Sequence, residues 1–382
     1  MRRLLPALAL LAALAVRGVI PLERHVFDGH ERAYLSAFLG DPVDGSLQVY
    51  PLLAGLYAAL GQLTRDPRAL LWLNMGAGAL GALFAGIWVR RRWGDAAGLG
   101  AAVLVALSPT HAFWAATAYN VAIPQMLLLA ACAAGRWGAP LYALACAMRV
   151  DLALLAPAVG LVAGWPCALG ALGAFAVHAE APPLRPLSLT LPANLPLTEY
   201  LGPLGAPLGL LVVLLATRRD SLPLLLAAAW THAVAACFDD QGTRHELFGA
   251  ACLGALVAAA PGWRRVGFAA AIALSLYGMF QLHSDYFATN ERFLASVPAL
   301  GPPPEGCVEV LDDPLEPRSH WNLRAQGWPG GPFCWGEEAI HRAWTSRDLQ
   351  DRALRMRRLY DPEPVGVLRL PGGPRVVYRL NP

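Results

Sequence analysis

Apolar runs that end in arginine constrain this chain more than any other feature of its sequence. The runs approach the length of about 20 residues that a membrane-spanning helix needs. Hydrophobic residues fill 56% of the 382 positions and charged residues only 15%, whereas soluble proteins carry about 25% charged residues. We predict spans near residues 4–20, 69–89, 95–112, 119–134, 165–179, 203–217, 221–237, 246–260 and 265–283. The chain is therefore predicted to be an all-α polytopic membrane protein with a bundle of about 9–11 transmembrane helices.

A further apolar stretch, residues 139–163, contains two opposite charges. Arg149 and Asp151 interrupt it, and such groups are costly in hydrocarbon unless they pair or reach water. The stretch is therefore predicted to be a broken helix or a tight hairpin. The two charges could line a cavity or lock two half-helices together, and the structural role is our preferred interpretation.

The arginines also predict the orientation of the chain, because cytoplasmic loops carry an excess of basic residues. The basic residues that fall on one predicted side are Arg2, Arg3, Arg90, Arg91, Arg92, Arg136, Arg218, Arg219, Arg264 and Arg265. The N-terminus is then cytoplasmic, and the loops at 21–68, 113–118, 180–202 and 238–245 lie outside together with everything after 284. We predict a bacterial inner membrane protein, whether residues 4–16 form an anchor or a cleaved signal peptide.

The predicted domains follow from this topology. Residues 1–283 form the transmembrane domain, with a first external loop at 21–68 and an interfacial helix near 50–64, which is too short for a full crossing. Residues 284–306 form a linker. Residues 307–382 are predicted to be a small extracytoplasmic α+β domain.

Turn and strand patterns define the predicted tail. Cys307–Leu311 is typical of a strand and Glu337–Tyr360 of a charged helix. Val365–Leu370 and Arg375–Leu380 flank a Pro-Gly-Gly-Pro turn and predict a hairpin.

The seven cysteines fall into two groups. Cys307 and Cys334 lie in the polar tail and form the natural disulfide pair if that tail faces an oxidising compartment. The others lie in or beside apolar segments, where cysteine packs as a small hydrophobe: Cys132, Cys146, Cys167, Cys237 and Cys252.

The first external loop contains the densest group of candidate functional residues: His25, Asp28, His30, Glu31 and Tyr34. A solvated polar loop would explain them without any function. Two carboxylates this close can instead supply a general base and a second charged group, which together activate a hydroxyl nucleophile. A divalent metal held by the histidines and acids is an alternative, but their spacing is not diagnostic. We predict no cofactor.

In this loop and beyond it, the chain resembles the polytopic glycosyltransferases of the C superfamily (GT-C), which include protein O-mannosyltransferases and aminoarabinose transferases. The matching features, in order, are Asp28, Glu31 and Tyr34, then Tyr50-Pro51-Leu52, then a span ending in Arg90-Arg91-Arg92, and then Ala106-Leu107-Ser108-Pro109. The resemblance implies a GT-C-like bundle whose sugar donor is linked to a polyprenyl phosphate.

A later segment, Arg244-His245-Glu246-Leu247-Phe248, is similar to the start of a late GT-C helix. The resemblance implies that Arg244 binds the lipid-linked phosphate, and a guanidinium can hold phosphate oxygens bidentately. The alternative is an arginine that reaches the membrane surface from a span end. Asp239, Asp240 and His245 flank Arg244 and could add contacts.

The resemblance implies the transfer of a sugar to a hydroxyl acceptor (lipid, glycan or protein) at the outer face, with inversion. Asp28 and Glu31 would be catalytic, with Asp28 as the general base. The substrate-binding residues would be Arg244, Tyr34, His245, Asp239, Asp240 and His30. The expected partners are the polyprenyl-phosphate donor, the acceptor and membrane lipids. Nucleic acid is not expected, because the net charge of +3 is small.

Two other functions fit the same sequence. A transporter or lipid flippase would use Arg149 and Asp151 in its path. A non-catalytic membrane scaffold would bind a partner through the tail.

Overall fold

A computed structural model describes residues 31–40, 50–64, 66–174, 221–235, 247–259, 269, 271–273, 275–280, 294–301, 307–309, 361–370 and 373–381. These residues are mostly α-helical with one small antiparallel sheet, as predicted. Contacts divide them into two compact units. The first unit contains the described residues within 71–116 and 120–282, and the second contains those within 21–70, 117–119 and 283–382.

The helices of the described part, in chain order, are α1 Glu31–Leu39, α2 Pro51–Leu63, α3 Arg68–Trp93, α4 Asp95–Leu107, α5 Pro109–Ala115, α6 Ala122–Ala134, α7 Ala139–Met148, α8 Ala156–Ala163, α9 Trp165–Ala168, α10 Leu222–Ala235 and α11 Leu247–Ala258. Short 3-10 turns connect several of them. Residues 271–273 and 275–280 are also helical.

Helix α3 is long and apolar enough to cross a membrane. Its 26 residues extend about 39 Å, which exceeds the roughly 30 Å hydrocarbon core, and the predicted span at 69–89 is confirmed as a helix. Helices α4 and α5 pass the same test only if the two count as one bent span. By length and composition, the described residues thus contain one helix that could cross a membrane, or two if α4 and α5 form a single bent span. The rest of the predicted bundle stays a prediction.

The predicted span at 95–112 is bent by 59° between α4 and α5. Pro109 occupies the first turn of α5, and the Ser108 hydroxyl accepts a hydrogen bond from the His111 backbone N–H at 3.4 Å. Proline has no N–H and disfavours helical geometry at the residue before it. A new helix therefore begins at Pro109 in a different direction.

The predicted break within 139–163 is confirmed. Arg149 ends α7 with extended dihedral angles of φ −158° and ψ 100°, and a 3-10 segment, Val150–Leu155, leads into α8. Two side chains bind carbonyls of that segment: Tyr142 Oη donates to Leu152 O at 2.7 Å and Trp230 Nε1 donates to Leu154 O at 2.8 Å. Carbonyls released from a helix in an apolar environment need such donors.

The predicted span at 165–179 is helical only in short pieces over its described part. Gly164 has a positive φ of 99° and separates α8 from α9. A 3-10 turn, Leu169–Leu172, follows α9. The turn at Gly164 divides two segments that the sequence predicts as separate spans.

Small residues allow close packing in the first unit. A Cβ atom on Gly98 of α4 would lie 2.7 Å from the carbonyl oxygen of Gly86 in α3, so the two helices approach through glycine. Membrane helices commonly pack in this way. Cys132, Cys146, Cys167 and Cys252 are buried and not in disulfides, which confirms their predicted packing role. Cys237 lies outside the described residues.

We expect Gly98→Ala to lower the free energy of unfolding by about 1–3 kcal/mol, because the added methyl group would overlap the backbone of α3. Thermal unfolding in a mild detergent measures the effect. Gly76→Ala, on α3, is the control, because nothing lies within 4 Å of its added Cβ atom. Equal losses for the two variants would contradict the close contact.

In the second unit, α1 packs on α2. One face of α2 buries Leu53 and Tyr57. The adjacent face leaves Leu52, Leu56 and Leu63 exposed. An exposed row of leucines is typical of a helix in contact with lipid. The helix predicted near 50–64 is therefore present, and its position at the membrane interface stays a prediction.

The second unit also contains the sheet, in the order β1-β3-β2 with β1 Cys307–Glu309, β2 Asp361–Leu370 and β3 Gly373–Asn381. The predicted hairpin is confirmed: β2 and β3 are antiparallel, with Leu370 opposite Gly373. The predicted strand at Cys307–Leu311 is present over β1. The predicted helix Glu337–Tyr360, Cys334 and the side chain of Cys307 lie outside the described part.

Candidate functional site

Two of the predicted site residues, Glu31 and Tyr34, lie in the described part of the chain. Both are in the first turns of α1 and both are buried. The other predicted site residues fall outside the described residues, and their roles stay predictions: Asp28, His30, Asp239, Asp240, Arg244 and His245.

Glu31 is a buried carboxylate with 1% of its surface exposed. Its Oε1 accepts a hydrogen bond of 2.6 Å from the backbone N–H of Ala118. Burying a carboxylate is costly unless hydrogen bonds replace the lost water, and a bond to an ionised acceptor is stronger than a neutral one. Its position in the first turn of α1 is also favourable for a negative charge. This hydrogen bond joins the first predicted external loop, residues 21–68, to Ala118 in the second predicted external loop, residues 113–118.

Tyrosines from three segments complete this cluster. The rings of Tyr34 and Tyr57 meet edge to face, with centroids 5.7 Å apart. Tyr57 Oη donates to the carbonyl oxygen of Tyr119 at 3.5 Å. A buried tyrosine generally needs a partner for its hydroxyl, so Tyr57 in an apolar segment was a sequence signal for such a site. The sequence predicted Tyr34 but not Tyr57 or Tyr119.

We define the polyhydroxyl cluster as Glu31, Tyr34, Tyr57 and Tyr119. It combines a carboxylate and a phenol on α1, a phenol on α2 and the backbone carbonyl of Tyr119 in the turn before α6, an arrangement that can orient a hydroxyl-bearing molecule. No group of three or more His, Cys, Asp or Glu side chains is placed to hold a metal ion within the described ranges. His25, Asp28 and His30 lie outside those ranges.

Arg149 and Asp151 form an ion pair in the first unit, with only 3% and 6% of their surfaces exposed. Arg149 Nε lies 2.9 Å and 3.0 Å from the two Asp151 carboxylate oxygens, and Nη2 lies 2.8 Å from Oδ2. The predicted pairing is confirmed. The pair spans the break between α7 and α8, so it stabilises an irregular backbone whatever else it does.

His111 connects two helix ends in the first unit. Its Nε2 lies 3.0 Å from the carbonyl oxygen of Leu247, the first residue of α11. Because a carbonyl only accepts, Nε2 carries the proton in this contact. Leu247 follows Arg244 by three residues in the sequence, so this contact fixes the start of the helix that comes after the predicted phosphate-binding arginine.

The arginine-rich end of α3 contacts the end of α6 in the first unit. The Arg91 guanidinium in the last turn of α3 donates to the carbonyl oxygen of Ala133, near the end of α6. Arg136 lies in the 3-10 turn that follows α6. Cations at the C-termini of helices also interact favourably with the helix dipole.

Comparisons of the chain with known protein families, curated proteins and solved structures gave no match. No family therefore assigns a role to any of these residues. The resemblance to GT-C enzymes stays a prediction that depends on the residues themselves.

Proposed function

We propose that the chain is a membrane glycosyltransferase that transfers a sugar from a polyprenyl phosphate to a hydroxyl acceptor at the extracytoplasmic face. The buried Glu31 carboxylate, held by the Ala118 N–H beside Tyr34, supports this proposal most directly. Burial of a carboxylate among phenol groups lowers the stability of a fold, so a buried acid of this kind indicates a functional role. Sugar hydroxyls are natural ligands of such a group.

The mechanism assigns one step to each charged group. Asp28 removes the proton of the acceptor hydroxyl as the bond between the sugar C1 and the phosphate oxygen breaks. Attack from the opposite face inverts the anomeric carbon. Arg244 balances the charge of the departing phosphate, and this kind of electrostatic stabilisation is often the largest catalytic term. Glu31, three residues after Asp28, is a positioning residue.

The arginine distribution supports the orientation that this reaction needs. The arginine-rich end of α3 contacts the end of α6, which Arg136 follows, and basic residues favour the cytoplasmic side. The N-terminal halves of these helices then lie toward the outer face. The proposed multi-pass bundle would bring a prenyl-linked donor to the site sideways from the bilayer.

Glu31→Gln tests the positioning role, because glutamine keeps an acceptor oxygen for Ala118 N–H but loses the charge. We expect about tenfold slower transfer, a typical cost for one charged positioning contact, and a small drop in the unfolding temperature, because a neutral acceptor makes a weaker hydrogen bond. The assay uses the purified chain in lipid nanodiscs with undecaprenyl phosphate carrying radiolabelled glucose, mannose or aminoarabinose, and a membrane extract as acceptor.

Glu363→Gln is the matched control, since that glutamate is more than half exposed in the tail sheet. It should leave the transfer rate unchanged. No sugar transfer by the unmodified chain with any of these donors would contradict the proposed function. Full activity of Glu31→Gln would remove Glu31 from its role.

A transporter or lipid flippase is the second candidate, and the buried Arg149–Asp151 pair at a helix break favours it. Discontinuous helices with buried charges are typical of transport sites. Movement of a fluorescent prenyl-phosphate sugar across proteoliposomes without sugar transfer would support this candidate over the first.

A further inference from the structure

A pocket in the first unit is lined by residues that the sequence analysis did not predict as site residues. Helices α3, α5 and α6 and the start of α11 form its walls. Its empty volume is about 250 Å³ when the adjoining space open to solvent is counted, and about 10 Å³ of it is free for the centre of a water-sized group. The enclosed space thus admits about one oxygen atom, and a larger ligand would extend into the open side.

Gln125 contributes an unusual group to this pocket. Only 6% of the residue is exposed, and its Nε2 has no hydrogen-bond partner within the part of the chain that the structure describes. A buried donor without an acceptor destabilises a fold. Natural proteins contain few such groups, and a bound molecule or a functional role commonly accounts for them. A lone amide in the apolar run of α6 is the signal in the sequence that marks this position, although Gln125 was not among the predicted site residues.

The chemistry of the walls limits what can bind. Apart from His111, Trp114 and Gln125, every lining side chain is apolar or absent, and none belongs to Arg, Lys, Asp or Glu. The Nε2 atom of Gln125 donates, so the ligand must bring an acceptor. Without a permanent cation beside it, a phosphate would be poorly stabilised. The pocket therefore suits an uncharged oxygen.

We propose that this pocket binds one sugar ring through a hydroxyl oxygen that accepts a hydrogen bond from Gln125 Nε2, an inference that rests on the proposed function. The hydroxyl occupies the small enclosed space beside Gln125, and the ring lies on the open side of the pocket against the Trp114 indole, because flat aromatic faces and amides together suit sugars. The ring belongs either to the lipid-linked donor or to a glycan acceptor.

Binding to the chain in nanodiscs, measured without turnover, tests the proposal. The probes are undecaprenyl phosphate carrying glucose or mannose, bare undecaprenyl phosphate, and maltose. We expect Gln125→Leu to weaken the binding of the sugar-bearing lipid probes or of maltose about tenfold, which corresponds to one good hydrogen bond. The affinity for bare undecaprenyl phosphate should not change. Weaker binding of the lipid-linked sugar probes would show that the pocket holds the donor sugar. Weaker binding of maltose alone would show that it holds the acceptor sugar.

Stability provides a second readout. Leucine removes a donor that has no partner, so ligand-free Gln125→Leu should unfold at the same temperature as the parent or at a higher one. Gln62→Leu, on an exposed position of α2, is the matched control and should not change sugar binding.

Three results would overturn the proposal. They are no sugar-dependent binding by the parent, the same affinity of Gln125→Leu and the parent for every probe, or a clear drop in the ligand-free unfolding temperature of Gln125→Leu. The last result would mean that the amide already has a partner. The binding assay measures no reaction. A chain that binds the sugar but transfers none would therefore contradict the proposed function and not the binding role of this pocket.

Discussion

Asp28→Asn is expected to slow sugar transfer by roughly 10²–10⁴-fold, because asparagine cannot accept the proton of the attacking hydroxyl and general-base catalysis contributes a factor of that size. Asparagine has nearly the same shape as aspartate, so donor binding and the unfolding temperature should stay close to those of the parent. Single-turnover transfer in nanodiscs separates the chemical step from product release. The expected pattern is a reduced rate with unchanged donor affinity.

Asp95→Asn is the control for loss of a carboxylate elsewhere. Asp95 forms a partly exposed ion pair with Arg90, with Nε 2.5 Å from Oδ1, in the arginine-rich end of the first unit. Its substitution should leave the transfer rate unchanged. Full transfer by Asp28→Asn would remove Asp28 from its role, and impermeant labelling of Gly29→Cys only from the cytoplasmic side would contradict the proposed orientation.

Arg149→Leu is expected to lower the free energy of unfolding by about 3–5 kcal/mol, because it leaves the Asp151 carboxylate buried without its guanidinium. Asp151→Leu should cost a similar amount for the reciprocal reason. The double variant Arg149→Leu with Asp151→Leu should recover most of the loss, since neither charge then remains buried. Denaturant titration of the three variants in mixed micelles measures these differences.

Arg379→Leu is the control, because its ion pair with Glu363 on the tail sheet is largely exposed and exposed pairs contribute at most about 1 kcal/mol. A double variant as unstable as either single variant would contradict a simple charge-pair role. A stable double variant without activity would instead place the pair in the functional path.

Local patterns in the sequence determined several elements. The apolar run of α3, the break at Arg149 and the tail hairpin were each predicted close to their observed positions. Each depends on neighbours in the chain: about twenty mostly apolar residues, two opposite charges two positions apart in an apolar stretch, or a Pro-Gly-Gly-Pro turn. The bend at Ser108 followed from equally local chemistry, although 95–112 was predicted as one span.

Only the tertiary structure decided which distant groups meet. Glu31 binds the backbone of a residue 87 positions away, and His111 binds one 136 positions away. A backbone N–H or carbonyl carries no side-chain signature, so no pattern in the sequence marks it as a partner. The sequence alone thus determined the helix α3, the break at Arg149 and the tail hairpin, because those features depend on adjacent residues. The partners of Glu31 and His111 and the burial of the Gln125 amide depend on how helices pack, which only the folded chain specifies.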